Sequence, residues 1–388
     1  KKGLIEKIDE EYVHRVGLCY KCKNPIEPLP LKQWYIKTEK LAKDAIKIVK
    51  DGKIKFYPKS FEKRYFQWME NLKDWNISRQ VVWGIRIPAW QCKKCKHWTI
   101  TEGDVPKECK CGSSDLLQDT DTFDTWFSSG QWPIVTLKTG RPGDFNKFYP
   151  TSVMETGYDI LPAWVSRMIM LGTYLTKEAP FKDVVLHGLV NDPYGKKMSK
   201  SKGNVINPLE IVDQYGADAL RFALVYGNAL GNDQALSYPK LQAMRNFSNK
   251  LWNIGRFLEI HFLLDVFKGK NIAFYSKEMN LSHKEDEAII KNLDILIANI
   301  SNSIDRYRFQ DAAGALYDFA WHELADKYLE QIKNRLKEGD LEAISVLRHV
   351  WINLLKLLHP FMPFITEELW GKFPRKTDEY LITSKWPK

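Results

Sequence analysis

No run of about 18 apolar residues occurs in this 388-residue chain, so no segment is long enough to cross a bilayer as a helix. A charged start followed by an apolar stretch and a small-residue cleavage site is also missing, and the expected compartment is the cytoplasm. No internal repeat or low-complexity tract is present, which excludes solenoids and fibres. Acidic charge is the minority: 48 Asp and Glu stand against 58 Lys and Arg, a net charge of +10. With a pI near 9.0, that excess suits a polyanionic partner such as nucleic acid. With 44% of residues hydrophobic and 27% charged, the chain can bury sizeable cores and is expected to divide into two or three domains. Position 1 is Lys rather than Met, which suggests that the sequence begins inside a longer chain. No oligomeric contact can be read, and a monomer is expected.

Cysteine is scarce, six in all, and the six fall into three tight pairs. In a reducing compartment such pairs read as thiolate metal ligands rather than disulfides. Cys92-x-x-Cys95 and Cys109-x-Cys111 are separated by a polar, lysine-rich stretch, enough to bring four sulfurs around one structural Zn2+ in a ribbon over 91–118. The second pair is one residue closer than the commoner gap, which leaves distorted or lost metal binding as the alternative. Cys19 and Cys22 form a half-site with no second half in this chain. Either their partners lie upstream of Lys1, the favoured reading, or the two thiols are merely reduced.

Lysine is abundant, and its densest arrangement is Lys197-Met198-Ser199-Lys200-Ser201. Two ammonium groups and two hydroxyls within five residues can clamp the leaving pyrophosphate of a nucleotide. Upstream, Phe181 to Gly188 reads as a strand entering a turn at Asn191-Asp192-Pro193-Tyr194-Gly195. The loop therefore follows a strand end, where ligands of α/β sheets collect.

Amphipathic helices are expected near 38–50 and 59–74. Ile77 to Pro88 is an apolar stretch carrying two arginines of buried type, Arg79 and Arg86. Trp164, Met168, Leu171 and Leu175 recur at helical spacing, marking a helix with one buried face. Beyond the lysine loop the pattern turns wholly helical. Pro208 after Asn207 fits an N-cap followed by a first helical residue, and periodic segments run near 240–266, 284–306, 309–337 and 341–358, with a short helix after Pro363. The fold class expected is α/β plus all-α: the second half of a Rossmann-type parallel sheet with a zinc-ribbon insertion, then an antiparallel helical bundle. The domains would be 1–30, 31–240 and 241–388, with the last boundary near Ser237-Tyr238-Pro239.

Several stretches together resemble the class I aminoacyl-tRNA synthetases, and within them the valyl-tRNA synthetase family. The lysine pentapeptide between His187-Gly188-Leu189-Val190 and Gly203-Asn204-Val205 carries the class resemblance. Val16-Gly17-Leu18-Cys19, Ser78-Arg79-Gln80, Asp124-Thr125-Trp126-Phe127 and Thr156-Gly157-Tyr158-Asp159-Ile160 carry the family one. So do Arg245-Asn246-Phe247-Ser248-Asn249 and His359-Pro360-Phe361-Met362-Pro363. The resemblance implies ATP-dependent activation of valine, with Mg2+, and transfer of the valyl group to tRNA(Val). It implies that Lys197, Lys200, Ser199 and Ser201 bind the phosphates, with Lys200 stabilising the departing pyrophosphate. Met198, His187 and Gly188 would border adenine, Gly157 would allow close approach, and Asp159 would accept from the ribose hydroxyls. A helix N-cap is the other reading of Asp159. Trp126, Ile160 and Trp164 would wall the valine pocket, although an aromatic on an apolar stripe such as Trp164 also reads as simple core.

The family's His-x-Gly-His element is absent from these eight histidines, as are the first half of the nucleotide sheet and most of the editing insertion. The expectation is a carboxyl-side portion of a longer ligase, inactive as an isolated piece. The alternatives are an isoleucyl- or leucyl-tRNA synthetase, or a non-catalytic tRNA-binding module. In such a module Trp252, Arg306, Arg308 and Trp321 could touch RNA by stacking and phosphate contact.

Overall fold

The computed structural model describes residues 3, 7–19, 22–199, 203–262, 275, 280–372 and 380–388. The chain packs as two compact units, Lys1–Glu39 with Lys73–Ser128 and Lys40–Leu72 with Ser129–Lys388.

The first unit is built from short strands. Tyr35–Ile36 pairs antiparallel with Trp75–Asn76, and Ser78–Arg79 with Thr122–Phe123. Ala89–Cys92 lies between Trp98–Ile100 and Leu116–Gln118 in a three-stranded antiparallel sheet. Strands this short cannot bury a broad apolar face, so polar anchors supplement the packing. The Trp75 indole N–H donates to buried Asp124 at 2.9 Å, and Arg79 reaches the same carboxylate at 3.0 Å. Most of the apolar stretch after Arg79 lies outside the core, Ile87 being its buried residue. Val82 and Trp83 are 105% and 93% exposed, and Arg86 is exposed with its guanidinium on the carbonyls of Gln118 and Asp119. Of the two arginines expected to be buried, Arg79 is half-buried and Arg86 is not, because the segment loops out between two pairing sites.

In the second unit a three-stranded parallel sheet has the order Lys55–Tyr57, Phe181–His187, Thr151–Gly157. The central strand buries Phe181, Val184, Val185 and Leu186, each such side chain contributing about 1.5–3 kcal/mol. Helices Glu39–Lys50, Ser60–Glu70 and Ser166–Thr176 accompany the sheet. The last is entered through a wider turn at Leu161–Val165 that contains Pro162. Its apolar stripe is only partly a buried face. Met168 and Leu171 are buried and Trp164 half-buried, but Leu175 is 53% exposed, while Ile169 and Met170 off the stripe are buried. A helix enclosed nearly all round carries little information in its stripe.

The helical pattern beyond the lysine loop is realised closely. Helices run Pro208–Tyr215, Ala217–Val225, Tyr238–Phe262, Lys284–Asp305, Phe309 through Glu338 with a widened middle, Leu341–Leu358 and Pro363–Lys372. The Asn207 side chain accepts from Leu209 N–H with Pro208 in the first turn, as the N-cap reading required. The bundle shares one apolar core centred on fully buried Trp351. Into it intrudes one ionic knot: Arg335 bonds Glu285, Asp286 and Asp340, while the Tyr328 hydroxyl donates to Asp286 at 2.7 Å. Asp286 has no exposed surface, so burial raises its pKa and the arginine is what keeps a charge there tolerable. Among the described residues no helix is long and apolar enough to cross a membrane.

Candidate nucleotide site and cysteine centre

The strands Thr151–Gly157 and Phe181–His187 run parallel with Gly157 opposite His187. Their carboxyl ends therefore deliver Gly157, Asp159, His187 and Gly188 to one edge. An added Cβ at Gly157 would sit 3.6 Å from the His187 ring, and one at Gly188 would lie 1.8 Å from the Asn232 carbonyl oxygen. Only glycine fits position 188, since a backbone carbonyl cannot step aside. His187 holds Glu155 at 3.3 Å through Nε2 and the Gly188 carbonyl at 2.6 Å through Nδ1.

From the lysine loop, Lys197 Nζ comes to 3.4 Å from Asp159 Oδ2. Both side chains are substantially exposed, so the pair is weak and a ligand can part it. Asp159 caps no helix: it sits inside the single turn Tyr158–Ile160, and that turn and those following it have no side-chain cap. Ile160 and Trp164 are half-buried just beyond, the Trp164 indole N–H donating to the Ser129 carbonyl at 2.9 Å. Trp126 belongs to the first unit, half-buried, its N–H on the Asp124 carboxylate. Lys200 and Ser201 lie outside the described residues.

Three polar residues without an expected site role hold this edge together, Asp192 and Asn204 from the motif stretches and Asp233 from outside them. Asp233 accepts from the Leu189 N–H at 2.7 Å and from the Tyr158 hydroxyl at 3.0 Å, joining the segments that follow both strands. Its carboxylate raises the Tyr158 pKa. Asn204 receives the Ser199 N–H at 3.0 Å and donates to Asp192 at 2.9 Å. Asp192 also accepts from the Tyr194 and Lys196 N–H groups. These donors, Asn204 foremost, hold the Asp192 pKa below its ordinary 3.8. The hairpin turn foreseen at 191–195 is thereby fastened, with Asn191 bridging Lys197. Asp-Pro-x-Gly predicts a turn, but only the fold brings Asn204 to it.

Of the candidate RNA contacts, Arg306 and Arg308 flank the helix elbow at Tyr307. With His187 and Gly188 they line a cavity of about 380 Å³. The Tyr307 hydroxyl donates to Asp183 on the central strand at 2.7 Å, fastening bundle to sheet. Trp321 stacks on Tyr317, and Lys372 lies 5.1 Å over the Trp252 ring.

In the first unit the sulfurs of Cys92, Cys95, Cys109 and Cys111 all lie within 4.8 Å of one another. A tetrahedral ion with about 2.3 Å metal–sulfur bonds needs sulfurs about 3.8 Å apart, and Cys92–Cys111 and Cys95–Cys109 stand at 3.6 and 3.4 Å. The donor set thus fits a thiolate-bound metal ion. Backbone N–H groups, that of Cys95 first, lower the Cys92 pKa to about 6, favouring the ligating form. The short second spacing is accommodated because Gly112 N–H turns back onto the Cys109 carbonyl at 2.8 Å.

Cys19 and Cys22 occupy a turn of the same kind. Lys96 N–H meets the Cys92 carbonyl at 2.9 Å and Cys92 N–H the His97 carbonyl at 2.9 Å. Lys23 N–H meets the Cys19 carbonyl at 2.8 Å and Cys19 N–H the Asn24 carbonyl at 2.8 Å. Lys96 and Lys23 take left-handed φ of 61° and 62°.

A parallel sheet with a glycine and an acid at one strand end, a lysine hairpin beside them and a helical bundle is the arrangement that a class I synthetase fold would present. Family comparison agrees: residues 18–237 match the tRNA synthetases of class I (I, L, M and V), and residues 286–388 match the anticodon-binding domain of tRNA ligase. The chain belongs to these class I tRNA synthetases. It is 46% identical to the valine--tRNA ligase of Petrotoga mobilis and 44% identical to that of Thermotoga maritima. In each case the alignment covers all of this chain and 44% of the relative; the chain thus spans less than half the length of these relatives. A leucyl-tRNA synthetase structure from Agrobacterium radiobacter K84, a ternary complex with tRNA and LeuAMS, has a TM-score of 0.67 at 23% identity. It covers 81% of this chain and 42% of its own. Methionyl-tRNA synthetase of Mycobacterium tuberculosis bound by methionyl-adenylate has a TM-score of 0.69 at 15% identity, covering 92% of this chain and 65% of its own.

Proposed function

We propose that this chain is the carboxyl-side part of a cytoplasmic valine--tRNA ligase, which activates valine with ATP and transfers it to tRNA(Val). The observation that carries the reading is the approach of Lys197 to Asp159 beside Gly157 and His187. In this reading the Asp159 carboxylate accepts the ribose hydroxyls, displacing its weak ion pair with Lys197. The freed ammonium then turns to the phosphates, where charge develops as pyrophosphate departs. Lys200 and the hydroxyls of Ser199 and Ser201 complete that clamp, Met198 and Gly188 border the base, and Mg2+ accompanies ATP. Asp233 acts as a positioning residue, keeping Tyr158 and Leu189 in register so that the ribose and base contacts stay a fixed distance apart. Ile160 and Trp164 contact the valine side chain, and Trp126 is assigned to the same role on the family resemblance alone. A rigid apolar wall excludes larger side chains but discriminates poorly against an isostere bearing a hydroxyl, a limit for which valyl-tRNA synthetase is itself the standard example.

Cys92, Cys95, Cys109 and Cys111 hold Zn2+, which when bound supplies only a rigid fold for the ribbon. Cys19 and Cys22 are half of a second such site. The functional divisions are residues 1–30, 31–240 and 241–388, the last serving tRNA. Valine-dependent exchange of labelled pyrophosphate into ATP by the full-length protein tests the reading. Exchange driven better by isoleucine or leucine would reassign the substrate. Binding of tRNA(Val) without any exchange would favour a non-catalytic module.

A further inference from the structure

At the end of the bundle where helix Leu341–Leu358 gives way to Pro363–Lys372, the closing segment of the chain folds back to form a cavity of about 480 Å³. Its rim carries Arg221, Lys356 and Lys385, and its walls include His359, Ile382 and Trp386. The nearby acids are already engaged. Asp218 accepts the N–H groups of Phe364 and Ile365, and Glu367 accepts those of Leu381 and Ile382. No acid lines the cavity itself, where the charged side chains are Arg221, Lys356 and Lys385, the second also lying 5.9 Å from the Trp370 ring. Lys385 is exposed and has no partner among the described residues, while Arg221 spends one N–H on the Pro360 carbonyl at 3.2 Å and keeps the rest.

The apolar side of the cavity is shaped for a flat ring. Trp386 is pinned by its indole N–H to Ser301 at 2.9 Å yet stays 38% exposed, and Ile382 beside it is 73% exposed. A fixed aromatic face next to three cations is the arrangement that takes an unpaired base and its flanking phosphates. A folded protein partner would need acidic side chains to match this rim. RNA supplies the charge at every residue, and every residue lining the cavity except Arg221 falls within the match to an anticodon-binding domain. We propose that this cavity is an RNA-docking site: Arg221, Lys356 and Lys385 hold phosphates of tRNA, and Trp386 with Ile382 receives an adjacent base. The inference rests on the ligase reading for its RNA.

The test measures binding of a tRNA(Val) transcript to the full-length protein across a salt series, for Lys385→Glu and for Arg221→Gln with Lys385→Ala. Lys385 has no bonding partner among the described residues, so its replacement is expected to leave the fold intact; a thermal melt checks this. The expected result is binding weakened roughly tenfold, with the log–log salt slope falling by about one for each cation removed. Valine-dependent pyrophosphate exchange, which needs no RNA, stays unchanged. If the unaltered protein exchanges pyrophosphate and binds tRNA but both variants bind with the same strength and slope, the docking site is wrong and the ligase reading stands. If the unaltered protein neither exchanges pyrophosphate nor binds tRNA, the ligase reading fails and takes the docking site with it.

Discussion

The cysteine ribbon and the lysine edge are both polar sites made by loops, yet they are built in opposite ways. In the ribbon every ligand turns inward, sulfur facing sulfur at 3.4 and 3.6 Å, with the backbone turned back to fix each pair. At the lysine edge the working groups face outward, and the only bond between Lys197 and Asp159 is a long, exposed one. The fixing is done one step behind them, by Asp233, Asn204 and Asp192. A site that must hold a shape satisfies its own groups; a site that must take and release a nucleotide leaves them underused and rigidifies the support. The two Cys-x-x-Cys turns repeat the lesson within one unit. Their flanking hydrogen bonds and left-handed lysines match, but only one is met by two further thiols among the described residues.

That contrast can be broken at each point. The largest effect belongs to the ribbon: Cys109→Ser in the full-length protein should drop bound zinc at this centre from one ion to below about 0.1 by elemental analysis. Adenylate formation should persist at reduced stability. Full zinc retention would mean that the sulfurs do not act as a set. Next comes the proposed phosphate clamp. Lys200→Ala should slow adenylate formation by about 10²–10³-fold with tRNA affinity nearly unchanged, and an equal loss of both would contradict its phosphate role. For the support layer, Asp233→Ala should raise the KM for ATP roughly tenfold while changing kcat less, with partial rescue by Asp233→Asn, whose amide oxygen still accepts from Leu189. A drop in kcat alone would recast Asp233 as part of the chemistry.

The smallest effect is a pH one. Asp192 has its folded pKa held below 3.8, so its stabilising bonds are complete above that ordinary value and are lost as pH falls through the lower folded one. Hydrogen exchange at Tyr194 and Lys196 should therefore quicken only below about pH 4. In Asp192→Asn the protection should be weaker and flat across that range. Unchanged acid behaviour in the variant would show that another group fastens the hairpin.

Much of this molecule could be read along the chain. The central strand announced itself by an apolar run ending in His-Gly, the bundle helices by their 3.6-residue period, and Asn207-Pro208 by a cap whose chemistry is local. The cysteine pairs pointed to a four-sulfur cluster because tight turns such as Cys92-x-x-Cys95 and Cys109-x-Cys111 need little beyond their own backbone. What misled was hydrophobicity without context: Val82 and Trp83 look like core and stand in solvent, while Leu175 lies on an apolar stripe and is half exposed. Asp233 could not have been picked out, since an acid in a polar loop has no pattern until two strand ends come to meet it, and Asn204, though inside a recognised motif, shows its role only where it meets Asp192.

The order of residues alone determined the elements, the thiolate set and the crowding of positive charge into one hairpin, all consequences of spacing within a few turns of chain. Tertiary structure decided which of those groups share a space: that Gly157 faces His187 across two parallel strands, that Lys197 leans on Asp159, and that one carboxylate at Asp233 ties both strand ends. Such meetings depend on register and crossover between segments far apart in sequence. Local propensity cannot encode them, because each partner's position is fixed by the packing of the whole core.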